Sequence, residues 1–276
     1  MDTPKISFIG AGNMTNSLIG GLLAHGKAAT DISIADINHA QLDALQQRFS
    51  VAACQSNSEA VETADILLLA VKPQGLKAVA DEIRDSVQRK QPLVISIAAG
   101  VREQEINCWL GDDVAIVRAM PNTPALIQTG ATALYANNKV SPEQRNLAET
   151  ILRAVGVTVW IDEEQHMDVV TALSGSGPAY FFLFMEAMES AGRELGLDAD
   201  ITRLLTLQTA FGATKLALES SEDCKTLRER VTSPGGTTEQ ALRTFEDGDL
   251  RQLVKHAIEA AAKRSEELTQ ELGKAT

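Results

Sequence analysis

The stretch "FIGAGNM", Phe8 to Met14, sets two glycines one residue apart where an apolar run ends. "KISFIGAG" reads as a strand running into a turn. Beyond it Met14, Leu18, Ile19, Leu22 and Leu23 recur at helical spacing, and Gly26 follows as a helix stop. Strand, glycine turn and helix in that order make a dinucleotide-binding turn. Its first glycine, Gly10, permits the tight bend, and its second, Gly12, lets a pyrophosphate approach the backbone. The helix N-terminus then faces the phosphates. The third position of the G-x-G-x-x-G pattern holds Thr15, whose bulk requires looser packing of helix on strand. A glycine turn without a ligand reads the same locally, so the surroundings decide.

The surroundings alternate short apolar runs with amphipathic stretches. "DISIAD" is a second strand and "NHAQLDALQQRF" a helix. "DILLLAV" and "PLVISIAAG" are continuous apolar runs, as strands buried on both faces of a parallel sheet require. "AIVRAM", "ATALYA", the helix "SPEQRNLAETILRAV" and "TVWI" carry the pattern to about residue 160. The order predicts an α/β doubly wound (Rossmann-type) N-terminal domain over residues 1–160. From Glu163 the strand alternation stops. "PAYFFLFMEAMESAGREL" is a helix apolar nearly all round, and "DADITRLLTLQTAFGATKLALES" is a second long one. In a last helix Leu250, Leu253, Val254, Ala257, Ile258 and Ala261 keep a helical stripe. Residues 161–276 are therefore expected to be all-α.

A net charge of −12 argues against nucleic acid and anionic membranes as partners. It leaves room for an anionic ligand, because backbone N–H groups at a helix start hold anions without Lys or Arg. Cys54, Cys108 and Cys224 are far apart, form no CxxC, and read as reduced thiols. "MDTPK" lacks the basic start and long apolar run of a signal peptide, and "ILLLAV" is too short to span a bilayer. A cytoplasmic protein is expected. His25, His39, His166 and His256 lie outside every motif and no metal-ligand spacing occurs, so no metal site is expected.

Asp36 ends the second strand. An acid there bonds the ribose 2′-OH of NAD and repels a 2′-phosphate. It can equally cap the following helix, a role also open to Asn38. Four further stretches stand beside the predicted elements: "AVKPQ" (Ala70 to Gln74), "RAMPNTPAL" (Arg118 to Leu126), "LSGSGPAYFF" (Leu173 to Phe182) and "VTSPGGTT" (Val231 to Thr238). "VKPQ" falls at the carboxyl edge of the sheet, with Pro73 suited to begin a helix and Lys72 either at a ligand or solvated. "MPNTP" sets Asn122 between two prolines that stiffen the loop; its amide either faces a ligand or completes a rigid turn. Ala98, Ala99 and Gly100 are small enough for a flat ring to approach, and Gly175, Ser176 and Gly177 allow similar approach before Pro178 opens a helix. In "SPGGTTEQALRTF", Thr237 and Gln240 fit a capping box. Thr237 would then cap the helix, Thr238 could turn its hydroxyl elsewhere, and the first-turn N–H groups with Ser233 could take a carboxylate.

With "FIGAGNM", these stretches resemble the pyrroline-5-carboxylate reductase family, in the family's order and across nearly the whole chain. The resemblance implies reduction of a small-molecule cyclic imine, L-1-pyrroline-5-carboxylate, by NADPH or NADH to give L-proline. It also implies a homodimer at minimum through interlocking helical domains, with a ring of dimers as a higher assembly. The active site would lie between a cofactor domain and the dimerised helices. The cofactor residues would be Gly10, Gly12, Asn13, Met14, Asp36, Ala70, Val71, Lys72, Pro73, Ala98 and Gly100. The substrate residues would be Ser233, Gly235, Gly236, Thr237, Thr238 and Asn122, with Thr238 as the catalytic residue at the ring nitrogen. One departure is Asp223-Cys224, where the family often has His-Pro.

A protonated iminium is already electrophilic, so such a site needs position more than a strong general acid. That suits a chain with no His-centred constellation. A β-hydroxyacid dehydrogenase has the same architecture, but alcohol chemistry needs a proton relay, often a Lys early in the helical domain, and none lies between Glu163 and Arg193. A non-catalytic NAD(P)-binding sensor would keep the glycine loop but has no reason to keep "SPGGTT".

Overall fold

Each apolar run of the first half folds as a short strand, and each amphipathic stretch between them as a helix. In chain order these are β1 (Ile6–Ile9), α1 (Asn13–Ala24), β2 (Ile32–Ala35), α2 (His39–Phe49), β3 (Ala52–Ala53), α3 (Asn57–Thr63) and β4 (Ile66–Leu69). They continue with α4 (Pro73–Lys90), β5 (Leu93–Ser96), α5 (Glu103–Trp109), β6 (Ile116–Met120), β7 (Gly130–Ala136), α6 (Pro142–Arg153) and β8 (Gly156–Trp160). The computed structural model describes residues 3–274; Met1, Asp2, Ala275 and Thr276 lie outside it, and with them the limits 1 and 276 of the two expected domains and the first two residues of "MDTPK".

The strands form one sheet in the order β3-β2-β1-β4-β5-β6-β7-β8. Neighbours run parallel except β6 and β7, which are antiparallel. The chain between those two, residues 121–129, is too short for the helical crossover a parallel pair needs. One face carries Phe8, Ile34, Leu68 and Ile95 against Leu18 and Ile19 of α1, Leu42 of α2 and Leu152 of α6. The other carries Ile9, Leu69, Val94 and Ile116 against Val61 of α3, Ile83 of α4 and Ile106 of α5. This two-sided cover is why β1, β4 and β5 are buried at every position, with no alternation of buried and exposed residues.

After β8 the described residues contain only helices: α7 (His166–Val170), a π-helical turn (Thr171–Gly175), α8 (Gly177–Glu194), α9 (Ala199–Glu219), α10 (Cys224–Arg230), α11 (Thr237–Asp247) and α12 (Leu250–Lys274). None is long and apolar enough to cross a membrane. Packing divides the chain later than the change in pattern at 160/161. Residues up to Ser176 form one compact unit with those from Ala261 onward, and Gly177–Ala260 form the other. The reason lies in side chains: Met167 and Ala172 are buried in the first unit, and buried Ser265 in the last turns of α12 donates to Asp168 at 2.6 Å.

A polar cluster ties α5, β6 and the chain entering α7 together. Arg118, almost fully buried on β6, donates to Glu164 at 2.7 Å, and the same carboxylate accepts the Glu103 N–H at 2.6 Å. Glu103 accepts from Asn137 Nδ2 at 2.7 Å. Burial pushes the Glu103 carboxyl above the usual carboxylate range despite that hydrogen bond, and the Glu164 charge pushes it the same way.

Within the second unit α8 and α9 pack closely: a Cβ on Gly192 would lie 2.7 Å from Thr202 Cγ2. Phe181 and Phe182 on α8 are 67% and 64% exposed in the single chain, and Phe211 on α9 is exposed as well.

Candidate active site

Gly10, Gly12, Asp36, Ala70 to Pro73 and Ala98 to Gly100 follow the carboxyl ends of β1, β2, β4 and β5. Strand order turns at β1, with β2 and β3 on one side and β4 to β8 on the other. Ligands of such sheets bind in the crevice at that switch point.

The two glycines have different reasons. Gly10 has φ +108°, and a Cβ there would lie 2.5 Å from the Ala70 carbonyl oxygen, so the fold itself excludes a side chain. Gly12 has φ −77°, and a Cβ there would meet no protein atom within 4 Å. Nothing in the protein itself excludes a side chain there, and that side of the loop is open. Thr15 does not loosen the packing as its bulk suggested. It is 0% exposed, and its Oγ1 donates to the Gly10 carbonyl at 2.6 Å, tying helix to turn. Asn13 is exposed at the helix start, and Met14 is half-buried against the core.

Of the two roles open at Asp36, the helix cap is taken by its neighbour. Asn38 caps α2, accepting from the Gln41 N–H at 3.3 Å. Asp36 accepts the Ala11 N–H at 2.6 Å and the Asn38 N–H at 2.7 Å, which fixes its carboxylate against the glycine loop with lone pairs to spare. Ile37 beside it is 93% exposed. Lys72 is exposed at the start of α4, where Pro73 is the first helical residue, and Ala70 and Val71 are half-buried.

Helix starts divide into two kinds. α2, α3, α6, α9 and α10 begin at Asn38, Ser56, Ser141, Asp198 and Asp223, whose side chains accept first-turn N–H groups. α1, α4 and α11 begin at Gly12, Lys72 and Gly236 and have no side-chain cap. α5 and α7, which begin at Arg102 and Gln165, also lack a side-chain cap, so it is the glycine starts of α1 and α11, in the stretches read as cofactor and substrate loops, that stand apart. Asp223 in the departing Asp223-Cys224 pair caps α10; the Thr226 N–H at 2.8 Å holds its carboxyl below the usual range.

Asn122 and Gly100 are engaged by the protein. Asn122 Oδ1 accepts the Ala131 N–H at 2.9 Å, and its Nδ2 donates to the carbonyl and hydroxyl oxygens of Ser174, each at 3.3 Å. The amide clamps the "MPNTP" loop to β7 and to the π-helical turn. Gly100 has φ +72°, and a Cβ there would lie 3.3 Å from Leu272 of α12, so its small size also accommodates the last helix. Ala98 is buried and Ala99 half-buried beside it.

In the second unit the expected capping box of Thr237 and Gln240 does not form. Gly236 is the cap residue and Thr237 the first helical residue, and the Gly236 N–H turns back to the Ser233 carbonyl at 3.0 Å. Among the described residues the N–H groups of Thr237, Thr238 and Glu239 have no acceptor. Ser233, Gly235 and Thr237 are exposed and Thr238 half-buried. No cluster of metal-ligating side chains occurs among the described residues.

The family described as "Pyrroline-5-carboxylate reductase dimerisation" matches residues 164–268, and one described as "NADP oxidoreductase coenzyme F420-dependent" matches residues 5–100. The pyrroline-5-carboxylate reductase of Pseudomonas aeruginosa is 48% identical over 273 residues, 99% of this chain and 100% of that protein. The chain belongs to the pyrroline-5-carboxylate reductase family. A solved pyrroline-5-carboxylate reductase from Coxiella burnetii superposes with a TM-score of 0.93 at 45% identity, covering 97% of this chain and 99% of that one. The Plasmodium falciparum pyrroline carboxylate reductase, solved with NADP bound, gives 0.85 at 29% identity, covering 98% and 99%.

As a pyrroline-5-carboxylate reductase family member the chain is an oxidoreductase, which sets aside the sensor and the β-hydroxyacid dehydrogenase. The roles of three residues are not apparent from the sequence. Thr15 gave a signal in its hydroxyl, which a glycine at that place lacks. Ser174 sits in a motif whose visible feature is the small size of its neighbours. Glu239 gave the signal of an acid three residues into a glycine-capped helix.

Proposed function

We propose that this chain reduces L-1-pyrroline-5-carboxylate to L-proline with NADPH or NADH, the last step of proline biosynthesis. The observation that carries the reading is the pair of glycine-started, uncapped helices: α1 beside an open glycine face and α11 beside Ser233. One suits a pyrophosphate and the other a carboxylate. A nicotinamide dinucleotide at the first supplies the hydride that reduces the C=N bond.

Gly10, Gly12, Asn13 and Met14 would hold the pyrophosphate through free N–H groups and the α1 dipole. Asp36 would accept the ribose hydroxyl, and Ala70, Val71, Lys72, Pro73, Ala98 and Gly100 would line the rest of the cofactor. On the other unit the N–H groups of Thr237 and Thr238, the Gly235-Gly236 turn and the Ser233 hydroxyl would take the substrate carboxylate. Thr238 Oγ1 is the catalytic contact, hydrogen-bonding the ring nitrogen and orienting the imine. Asn122 acts by holding its loop, since its amide is engaged with Ala131 and Ser174. The protonated imine needs no further activation, so orientation is the protein's main contribution.

The labour divides along the sequence, with residues 1–160 for the dinucleotide and 161–276 for substrate and subunit association. The working unit is a homodimer at least, in the cytoplasm. Oxidation of NADH and NADPH is followed with pyrroline-5-carboxylate, with a β-keto acid and with no substrate. Oxidation with the imine alone is expected; oxidation with the β-keto acid alone, or with neither, overturns the reading.

A further inference from the structure

Glu239 is the third residue of α11, and its Oε2 accepts the Gly235 N–H at 2.7 Å. Gly235 has φ +72° and is followed by Gly236, so the turn is made of the two residues with the freest backbones. Its other tie is the Gly236 N–H to the Ser233 carbonyl at 3.0 Å. An acid at the third helical position ordinarily reaches the N–H of the cap residue. Here that N–H is already given to Ser233, and the carboxylate reaches one residue further back. The bond spans the Gly235-Gly236 pair and leaves the Thr237 and Thr238 N–H groups without an acceptor. A charged acceptor makes the stronger hydrogen bond. The same charge opposes an anionic ligand at this helix start. Glu239 thus has two opposed effects on a carboxylate substrate, and a neutral acceptor separates them.

We propose that Glu239 is a positioning residue of the substrate loop: by accepting the Gly235 N–H it holds the Ser233–Gly236 turn in the shape that presents the free N–H groups of α11 to the substrate carboxylate. The proposal rests on reading this loop as the substrate site. Without the bond the glycine pair spends part of its time in other shapes, and apparent affinity falls by the competent fraction.

The test is the Michaelis constants for pyrroline-5-carboxylate and NADH in the wild type, Glu239→Ala and Glu239→Gln, with circular dichroism confirming the fold. Glu239→Ala is expected to raise KM for the imine about three- to tenfold, with kcat within about twofold and KM for NADH unchanged. Glu239→Gln keeps an acceptor oxygen and is expected to restore the wild-type KM or go below it. If the alanine variant does not fold, Glu239→Leu, also without an acceptor, takes its place. An imine KM at or below wild type in the alanine or leucine variant overturns the proposal, leaving Glu239 as a like charge only. A glutamine variant as impaired as the alanine, a loss confined to kcat, or an equal rise in KM for NADH overturns it too. A wild type active on the imine with an unaffected Glu239→Ala removes this inference alone. A wild type inactive on the imine removes the functional reading and this inference together.

Discussion

Two glycines one residue apart do different jobs, and substitution separates them. Gly10→Ala puts a Cβ 2.5 Å from the Ala70 carbonyl at φ +108°, and strain of that kind costs about 1–3 kcal/mol before the clash is counted. Urea unfolding should show the loss. Gly12→Val meets no protein atom near its Cβ. Its melting temperature should stay near wild type, while NADH affinity by calorimetry falls roughly a hundredfold, about 3 kcal/mol. The two threonines of α11 part in a similar way. Thr238→Ala should lower kcat/KM for the imine roughly ten- to a hundredfold, about 1–3 kcal/mol. Thr237 is not the cap, so Thr237→Ala should change stability by no more than about 0.5 kcal/mol. Asp36→Ser removes a carboxylate fixed on the glycine loop and should raise the NADPH/NADH ratio of kcat/KM several-fold, about 1 kcal/mol. At this scale the sequence exposed the glycines, whose meaning is steric. It hid Thr15 and Glu239, whose meaning lies in hydrogen bonds to backbone atoms that only the folded turn brings within reach.

Strands and helices were legible wherever burial leaves a period or a mostly apolar run, as in β1, β4 and β5. β3 was not, because two alanines carry no period. The way packing divides the chain was hidden for a related reason: the turns of α12 that join the first unit bury Ser265 and Thr269, polar residues that no apolar pattern marks. The start of α5 carries a pH-dependent consequence. The Glu103 carboxyl is raised above its ordinary value by burial and by the Glu164 charge. The folded state therefore binds that proton more readily than the unfolded one. The resulting stabilisation is complete below the ordinary Glu range and is lost as pH rises through the folded value. Glu103→Gln keeps an oxygen for Asn137 and removes the buried charge. Thermal melts should show the variant above wild type at pH 7, with the gap closing toward pH 4. A variant below wild type at pH 7 would show that the Glu103 charge stabilises the cluster.

The whole molecule exposes aromatic and aliphatic side chains on α8 and α9, among them Phe181, Phe182, Leu204 and Phe211. Exposed apolar surface of this kind marks an interface. Analytical ultracentrifugation at micromolar concentration should find a dimer or a multiple of it, and a monomer would contradict that assembly. The proposed function makes a further demand on the whole: a nicotinamide dinucleotide and a carboxylate substrate must yield a single chemical outcome. The direct measurement is the product. NADH consumed and L-proline formed are quantified in the same reaction, with pyrroline-5-carboxylate as the sole acceptor. Equal amounts of the two are predicted. NADH oxidised without proline, or no oxidation at all by the folded protein, would contradict the assignment.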